Sequence, residues 1–365
     1  MSARLRGTSD RLASAFERGY CQILVMYMSS ARAATPSIAA KARPAMNDVG
    51  EVLLANPRGF CAGVTRAIDI VAEALRCYGA PVYVLHEIVH NGRVVDELRT
   101  AGAIFVESLA DIPEGSVAIF SAHGVSKAVA DEAIARRLTV VDATCPLVAR
   151  VHLEVVRHAR AGRDVIMVGH RGHPEVVGTL GRYDRSYGGD IHLVESLEDV
   201  ARLRVRDPDH VAVVTQTTLS MDETRDLVAA LHLRFPGTAV ARRDDICYAT
   251  QNRQNAVRQL SGEVDLLLVV GARNSSNSNR LREVGERIGV RSRLIQDASE
   301  VDANWLHPGM RVGITAGAST PEALVREVLA CLAGHGLRDV RELPGNSERV
   351  VFPMPAELSQ RRRAH

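Results

Sequence analysis

Three cysteines occupy the same kind of place in this 365-residue chain. Cys61 precedes Ala-Gly-Val-Thr-Arg66, Cys145 precedes Pro-Leu-Val-Ala-Arg150, and Cys247 precedes Tyr-Ala-Thr-Gln-Asn-Arg253. Each stands where a helix is about to begin, and Pro146 suits a first helical turn. A helix N-terminus favours thiolate over thiol, so these are good positions for metal-binding sulfur. The spacings, 84 (145 − 61) and 102 (247 − 145) residues, each amount to about one small α/β unit and suggest a weak internal repeat. There is no CxxC pair, which argues against a zinc ribbon or a thioredoxin-type redox site. Cys77 and Cys331 lie within amphipathic helical patterns and read as packing residues. Six scattered cysteines do not make a disulfide-stapled secreted fold.

A second set of chemically capable residues follows short apolar runs. These segments are His86-Glu-Ile-Val-His90-Asn91, Ser121-Ala-His123-Gly124, Gly169-His-Arg-Gly-His173-Pro-Glu175, Thr215-Gln-Thr217-Thr218, Asn274-Ser275-Ser276-Asn277-Ser278-Asn279 and Ala316-Gly-Ala-Ser319-Thr320. Any one Ser, Thr or Asn there reads as a helix N-cap. Several such loops at the same ends of neighbouring strands offer neutral hydrogen-bond donors, and histidine can add charge. An anionic ligand fits that supply. Lys41 and Lys127 are the only lysines, and neither GxxxxGK[ST] nor GxGxxG occurs, so a nucleotide cofactor is not indicated.

The elements that must position these residues alternate. Apolar runs at Val52–Leu54, Val82–Leu85, Val117–Phe120, Val140–Val141, Val165–Val168, Val211–Val214, Leu266–Val270 and Val312–Ile314 predict strands. Between them, Arg66–Arg76, Leu147–Ala161, Asp222–Phe235 and Glu322–Ala333 predict amphipathic helices. Continuous apolar strands alternating with helices imply parallel sheets covered on both faces, so the fold class is α/β. Ligands in such folds bind at the carboxyl ends of strands, where the polar loops fall.

Composition limits the remaining choices. A net charge of +2 and 46% hydrophobic residues describe an ordinary globular protein, with no support for a nucleic-acid or acidic-membrane partner. No run approaches the ~18 apolar residues of a membrane span. Residues 1–48 read as an N-terminal extension, disordered or upstream of the true start. An export signal around Cys21–Met28 fits poorly because Asp10 and Glu17 precede it. A cytoplasmic location is expected.

Nine motifs then resemble one family in its own order. They are Asn56-Pro-Arg-Gly-Phe-Cys61-Ala-Gly-Val64, His86-Glu-Ile-Val-His90-Asn91, Ser121-Ala-His123-Gly-Val-Ser126, Asp142-Ala-Thr-Cys145-Pro146, Gly172-His173-Pro-Glu175, Thr215-Gln-Thr217-Thr-Leu-Ser220, Ile246-Cys247-Tyr-Ala-Thr250, Asn274-Ser-Ser-Asn-Ser-Asn279 and Thr315-Ala-Gly-Ala-Ser319. This pattern resembles the 4-hydroxy-3-methylbut-2-enyl diphosphate reductase family, also called IspH/LytB. The chain departs from the commonest family wording at Arg171, where an acidic residue is frequent.

The resemblance implies one [4Fe–4S] cluster held by Cys61, Cys145 and Cys247, with one iron open to substrate. It implies Glu175 as the proton-delivering carboxylate and Thr217 as the hydroxyl beside the substrate alcohol. His90, His123, His173, Ser275, Ser276, Asn277 and Ser319 match the diphosphate-binding positions, with His86, His170 and Gln216 adjacent. A carboxylic acid near an anionic cluster should have a raised pKa. The implied reaction is reductive removal of the hydroxyl from a small allylic diphosphate, giving isopentenyl and dimethylallyl diphosphates, with a ferredoxin or flavodoxin as electron donor. The implied architecture is three similar α/β units about a pseudo-threefold axis: residues 49–144, 145–243 and 244–335, followed by a C-terminal tail, 336–365. Two other classes remain compatible with the residues themselves. A zinc hydrolase could use Cys and His ligands with Glu175 as general base, and a phosphate-sugar protein could use the polar loops without metal. A brown colour after anaerobic purification distinguishes the reductase from both.

Overall fold

Thirteen short strands build three separate parallel sheets in the described residues, 50–240 and 245–364 of a computed structural model. The expectations for residues 1–48 lie outside them. In chain order, β1 (Glu51–Leu54) is followed by β2 (Val82–Leu85), β3 (Ala103–Val106), β4 (Val117–Phe120) and β5 (Thr139–Asp142). Next come β6 (Asp164–Val168), β7 (Ile191–Val194), β8 (Val211–Thr215) and β9 (Ala239–Val240), then β10 (Leu266–Val270), β11 (Arg291–Ile295), β12 (Arg311–Ala316) and β13 (Asp339–Glu342). The sheet orders are β3-β2-β4-β5, β7-β6-β8-β9 and β11-β10-β12-β1-β13. Every pairing is parallel.

One strand order therefore recurs: second, first, third, fourth. In the third sheet the fourth place is filled by β1, which pairs with β12 in the register Leu53↔Gly313. The sheets thus differ from the sequence partition at both ends. β1 lies within 49–144 yet belongs to the sheet of β10 and β12, and the segment 336–365 contributes β13 and the helix Ala356–Ala364. Pairing partners far apart along the chain leave no local trace.

All eight expected strands are present, and β3, β7, β9, β11 and β13 are additional. Each additional strand is a sheet edge. An edge strand buries less of itself, so it needs no continuous apolar run; β13 is exposed along its whole length. Central strands are different. Leu266, Leu268 and Val270 pack on Leu324, Val325, Val328 and Leu332 of the helix Glu322–Gly334. Leu267 and Val269 face the other way, onto Val257 and Leu260 of the helix Tyr248–Ser261 and Leu281 of the helix Ser276–Ile288. Each fully buried Leu or Ile contributes roughly 1.5–3 kcal/mol, which explains runs with no polar residue at all.

Candidate active site

Each sheet delivers three turns to the cavity from the ends of its first-, third- and fourth-place strands. First-place strands β2, β6 and β10 lead to His90, to His173 and Glu175, and to Ser275, Ser276 and Asn277. Third-place strands β4, β8 and β12 lead to His123, Thr217 and Ser319. Fourth-place strands β5, β9 and β1 lead to Cys145, Cys247 and Cys61. All twelve of these side chains line one cavity of about 110 Å³.

The cysteine turns repeat in detail. The Cys61 N–H donates to the Ala318 carbonyl at 3.2 Å, that of Cys145 to Ala122 at 3.0 Å, and that of Cys247 to Thr217 at 3.0 Å. Each acceptor is the second residue beyond a third-place strand. Each cysteine also occupies the N-cap position of the helix that follows it, and the Cys247 Sγ accepts the Thr250 N–H there. Gly63 sits between two of the thiols: a Cβ there would stand 2.7 Å from the Cys145 Sγ and 3.8 Å from the Cys61 Sγ. A side chain at 63 would fill the cradle between the sulfurs. Among the described residues, no three His, Cys, Asp or Glu side chains are gathered as the ligands of a single metal ion. Zinc would need its thiolates within ~4.6 Å of one another, twice the Zn–S length. Three thiols converging on one cavity can instead hold a group of several atoms.

One expectation is corrected here. Helix N-termini were expected to favour thiolate, but burial wins. It pushes the Cys145 thiol up to about 12, with the other two thiols adding to the effect and the Leu147 and Val148 N–H groups opposing it. Burial likewise pushes the Cys247 thiol up to about 11, assisted by Cys61. Desolvation in a thiol cluster outweighs one helix end, so loading a metal group must release protons.

Glu175 lies in the first turn of the helix Pro174–Leu180 and is 2% exposed. Its Oε1 accepts the Thr217 N–H at 2.6 Å and its Oε2 accepts the Thr217 hydroxyl at 2.9 Å. Burial raises the carboxyl to about 7 against these two bonds, and Asp245 adds to the rise. The raised value expected for an anionic neighbour thus exists before any such group is bound, through desolvation. The pair can hold a proton at neutral pH and pass it along a hydroxyl.

Three imidazoles line the same cavity. His90 stacks on His123 with centroids 4.2 Å apart, and His173 meets both edge-on at 5.6 and 5.8 Å. The Glu175 N–H donates to His173 Nδ1 at 3.2 Å, which leaves Nε2 to carry the proton. Burial lowers His173 to about 3, with His90 and His170 adding, and holds His123 well below its ordinary value. His90 is oriented by a residue that sequence reasoning missed. Glu87 Oε2 lies 3.0 Å from His90 Nδ1 and accepts from Asn274 at 2.9 Å. His90 Nε2 is buried without a partner. The signal was the Glu three residues before the second His of His86-Glu-Ile-Val-His90.

The small polar residues divide. Ser319 donates to the His90 carbonyl at 2.9 Å, and Asn277 Oδ1 accepts the Ala318 N–H at 2.9 Å, so both brace neighbouring loops. Ser275 caps its helix by accepting the Ser278 N–H. Ser276 meets Thr218, another lining residue that the sequence site set lacked, at 3.0 Å. Thr250 also lines the cavity and lies 3.2 Å from the Cys247 Sγ. Gln216 is buried behind the wall, receiving the His170 N–H at 3.0 Å. His86 pairs with Glu107 away from the cavity, and exposed Arg171 pairs with Glu195.

Buried neutral histidines make stability pH-dependent. Burial lowers His152 and His158 to about 4, assisted by Arg182 and by Arg157 with Arg163 respectively. With His173 and His123, these folded-state values lie below the unfolded value of ~6.5. The unfolded chain therefore binds protons first. Their contribution is complete above pH ~6.5 and is lost as pH falls toward 4. The melting temperature should drop across that window, and His152→Gln should make the drop shallower; equal slopes in both proteins would contradict this.

Comparison with known proteins agrees with the motif order. Residues 52–333 match the family model described as LytB protein. The 4-hydroxy-3-methylbut-2-enyl diphosphate reductase of Pseudomonas putida (strain GB-1) is 58% identical over 311 residues, 85% of this chain and 99% of the relative. That of Azotobacter vinelandii is 59% identical over 307 residues, 84% and 98% of the two chains. Among solved structures, the E-1-hydroxy-2-methyl-but-2-enyl-4-diphosphate reductase from Plasmodium falciparum superposes with a TM-score of 0.83 at 35% identity, over 87% of this chain and 99% of that one. A second, described as the terminal enzyme of the non-mevalonate pathway, gives 0.57 at 34% identity, over 78% and 99%.

Proposed function

We infer, from the premise that this chain belongs to the LytB protein family, that it is a 4-hydroxy-3-methylbut-2-enyl diphosphate reductase. It removes the hydroxyl of the allylic diphosphate reductively and yields isopentenyl and dimethylallyl diphosphates. The observation that carries this reading is the meeting of three thiols, a Glu–Thr proton pair and three imidazoles in one cavity.

Cys61, Cys145 and Cys247 are the residues that would hold a [4Fe–4S] cluster, with Gly63 leaving room between the sulfurs. When bound, the cluster supplies electrons and an open iron that polarises the C–O bond of the alcohol. The chain's own groups do the rest. Protonated Glu175 donates to the Thr217 oxygen, and the Thr217 hydroxyl hydrogen is then free to turn to the departing substrate oxygen. His173 donates from Nε2 to the diphosphate. His90 is oriented through its Nδ1 by Glu87 and turns its buried Nε2 toward the anion. Ser275 and Ser276 stand at a helix N-terminus that adds N–H groups for phosphate oxygens. Charge-assisted bonds of roughly 1.5–3 kcal/mol each hold the anion without lysine. We assign a cytoplasmic location and a small one-electron protein, a ferredoxin or flavodoxin, as donor. No helix of the described residues is long and apolar enough to cross a membrane.

Because Glu87 orients His90 without touching the cavity, Glu87→Gln should raise KM for the diphosphate about tenfold and change kcat little; the reverse split would move His90 into the chemical step. The direct test of function is anaerobic turnover with a chemical reductant. Protein carrying iron and sulfide should convert (E)-4-hydroxy-3-methylbut-2-enyl diphosphate to the two products. Iron-loaded protein that leaves the substrate untouched would overturn the reading.

A further inference from the structure

The three cysteine turns are tied to one another by arginines. Arg66, on the helix that begins after Cys61, donates from Nη1 to the carbonyls of Thr144 at 3.1 Å and Ala143 at 3.4 Å, the two residues before Cys145. Arg253, on the helix that begins after Cys247, donates to the Gly59 carbonyl at 3.0 and 2.7 Å and to that of Phe60 at 3.2 Å, the two residues before Cys61. Arg150, on the helix that begins after Cys145, places Nη2 3.7 Å from Oδ1 of Asp245, two residues before Cys247. Each arginine stands five or six residues after its own cysteine and reaches the turn of the next. The links run 61 to 145, 145 to 247 and 247 to 61, and so close.

The C-terminal segment grips two of the three. Glu348 pairs with Arg253 at 3.0 Å, and the Pro353 carbonyl accepts from Arg66 Nε at 2.7 Å. Arg253 is 1% exposed, so its full set of partners is what makes its burial tolerable. A guanidinium presents its donors in a fixed planar fork that matches two carbonyls and a carboxylate, whereas an ammonium is a compact charge on a flexible stem.

We propose that Arg66, Arg150 and Arg253 are positioning residues forming a closed ring that sets the separation of the three thiols, with residues 348–353 as its buckle. This rests on the reading of those thiols as ligands of one cluster.

The test uses full-length protein purified without oxygen, with Arg66→Gln, Arg150→Gln, Arg66→Lys, the Arg66→Gln/Arg150→Gln double variant, and Glu348→Gln, which spares the buried arginine. Iron release to a colorimetric chelator is followed with time. Each single variant should release iron about 10–100-fold faster than the parent, and Arg66→Lys should not restore the parent rate. The double variant should resemble a single one, because a ring already open is not opened again. Parent rates in the singles, or a double effect equal to the product of the two singles, would overturn the ring. If the parent binds no iron, the cluster reading fails instead, and thiol alkylation in metal-free protein decides the ring alone. There, Arg66→Gln should speed modification of Cys61 and Cys247 as well as Cys145; acceleration confined to Cys145 would overturn it.

Discussion

Cys145→Ser should give a colourless protein without measurable turnover, whereas Cys77→Ala should keep the colour and the rate of the parent. Serine is close in shape, so the turn at residue 145 survives and its N–H still reaches the Ala122 carbonyl. What changes is the ligand. A hydroxyl is far harder to ionise than a thiol, and burial here already raises the thiol to about 12. An alkoxide in that setting is out of reach, and iron loses a soft thiolate for a poor oxygen donor. Cys77 instead packs partly buried on the helix Ala62–Tyr78 and does not line the cavity. The measurement is iron and sulfide per chain together with visible absorption. Unchanged iron in Cys145→Ser would sink the ligand assignment.

Glu175→Gln should retain the colour and lose about 10²–10⁴-fold in turnover. The amide can still accept from the Thr217 N–H, so the fold of the loop is kept, but it has no proton to give. Because the carboxyl sits at about 7, parent activity should decline as pH rises through neutrality, and that alkaline limb should vanish in the residual rate of the variant. Stability follows the same sign. A folded value raised above ~4.5 means the folded state holds the proton longer, so the contribution is complete below pH ~4.5 and is lost as pH rises through 7. Relative to Glu175→Gln, the parent should lose roughly 3 kcal/mol between those limits, 2.5 pH units at ~1.36 kcal/mol each. Full turnover in the variant would remove Glu175 from the mechanism, and a pH-independent difference in melting temperature would remove the buried-acid assignment.

The site was unusually legible from sequence. His90, His123, His173, Glu175 and Thr217 stand in short motifs at strand ends, and all reach the cavity. Thr218 and Thr250, inside the same motifs, were not separated from their neighbours, because nothing in a linear motif says which of two adjacent hydroxyls turns inward. Glu87 was missed for a related reason: its role is to orient His90, and that becomes visible only when Asn274, from another sheet, is brought beside it.

Apolar runs such as Leu266–Val270 and helix starts such as Cys145-Pro146 are determined locally, because burial on both faces and N-terminal capping act within a few residues. Their consequences, an α/β fold with three equivalent cysteines, could therefore be read directly from the chain. The edge strands β3, β7, β9, β11 and β13, the entry of β1 into the last sheet, and the reach of each arginine to the next cysteine turn depend on partners distant along the chain. Their backbone groups and charges are satisfied only once the three sheets are assembled, so tertiary structure alone decided them.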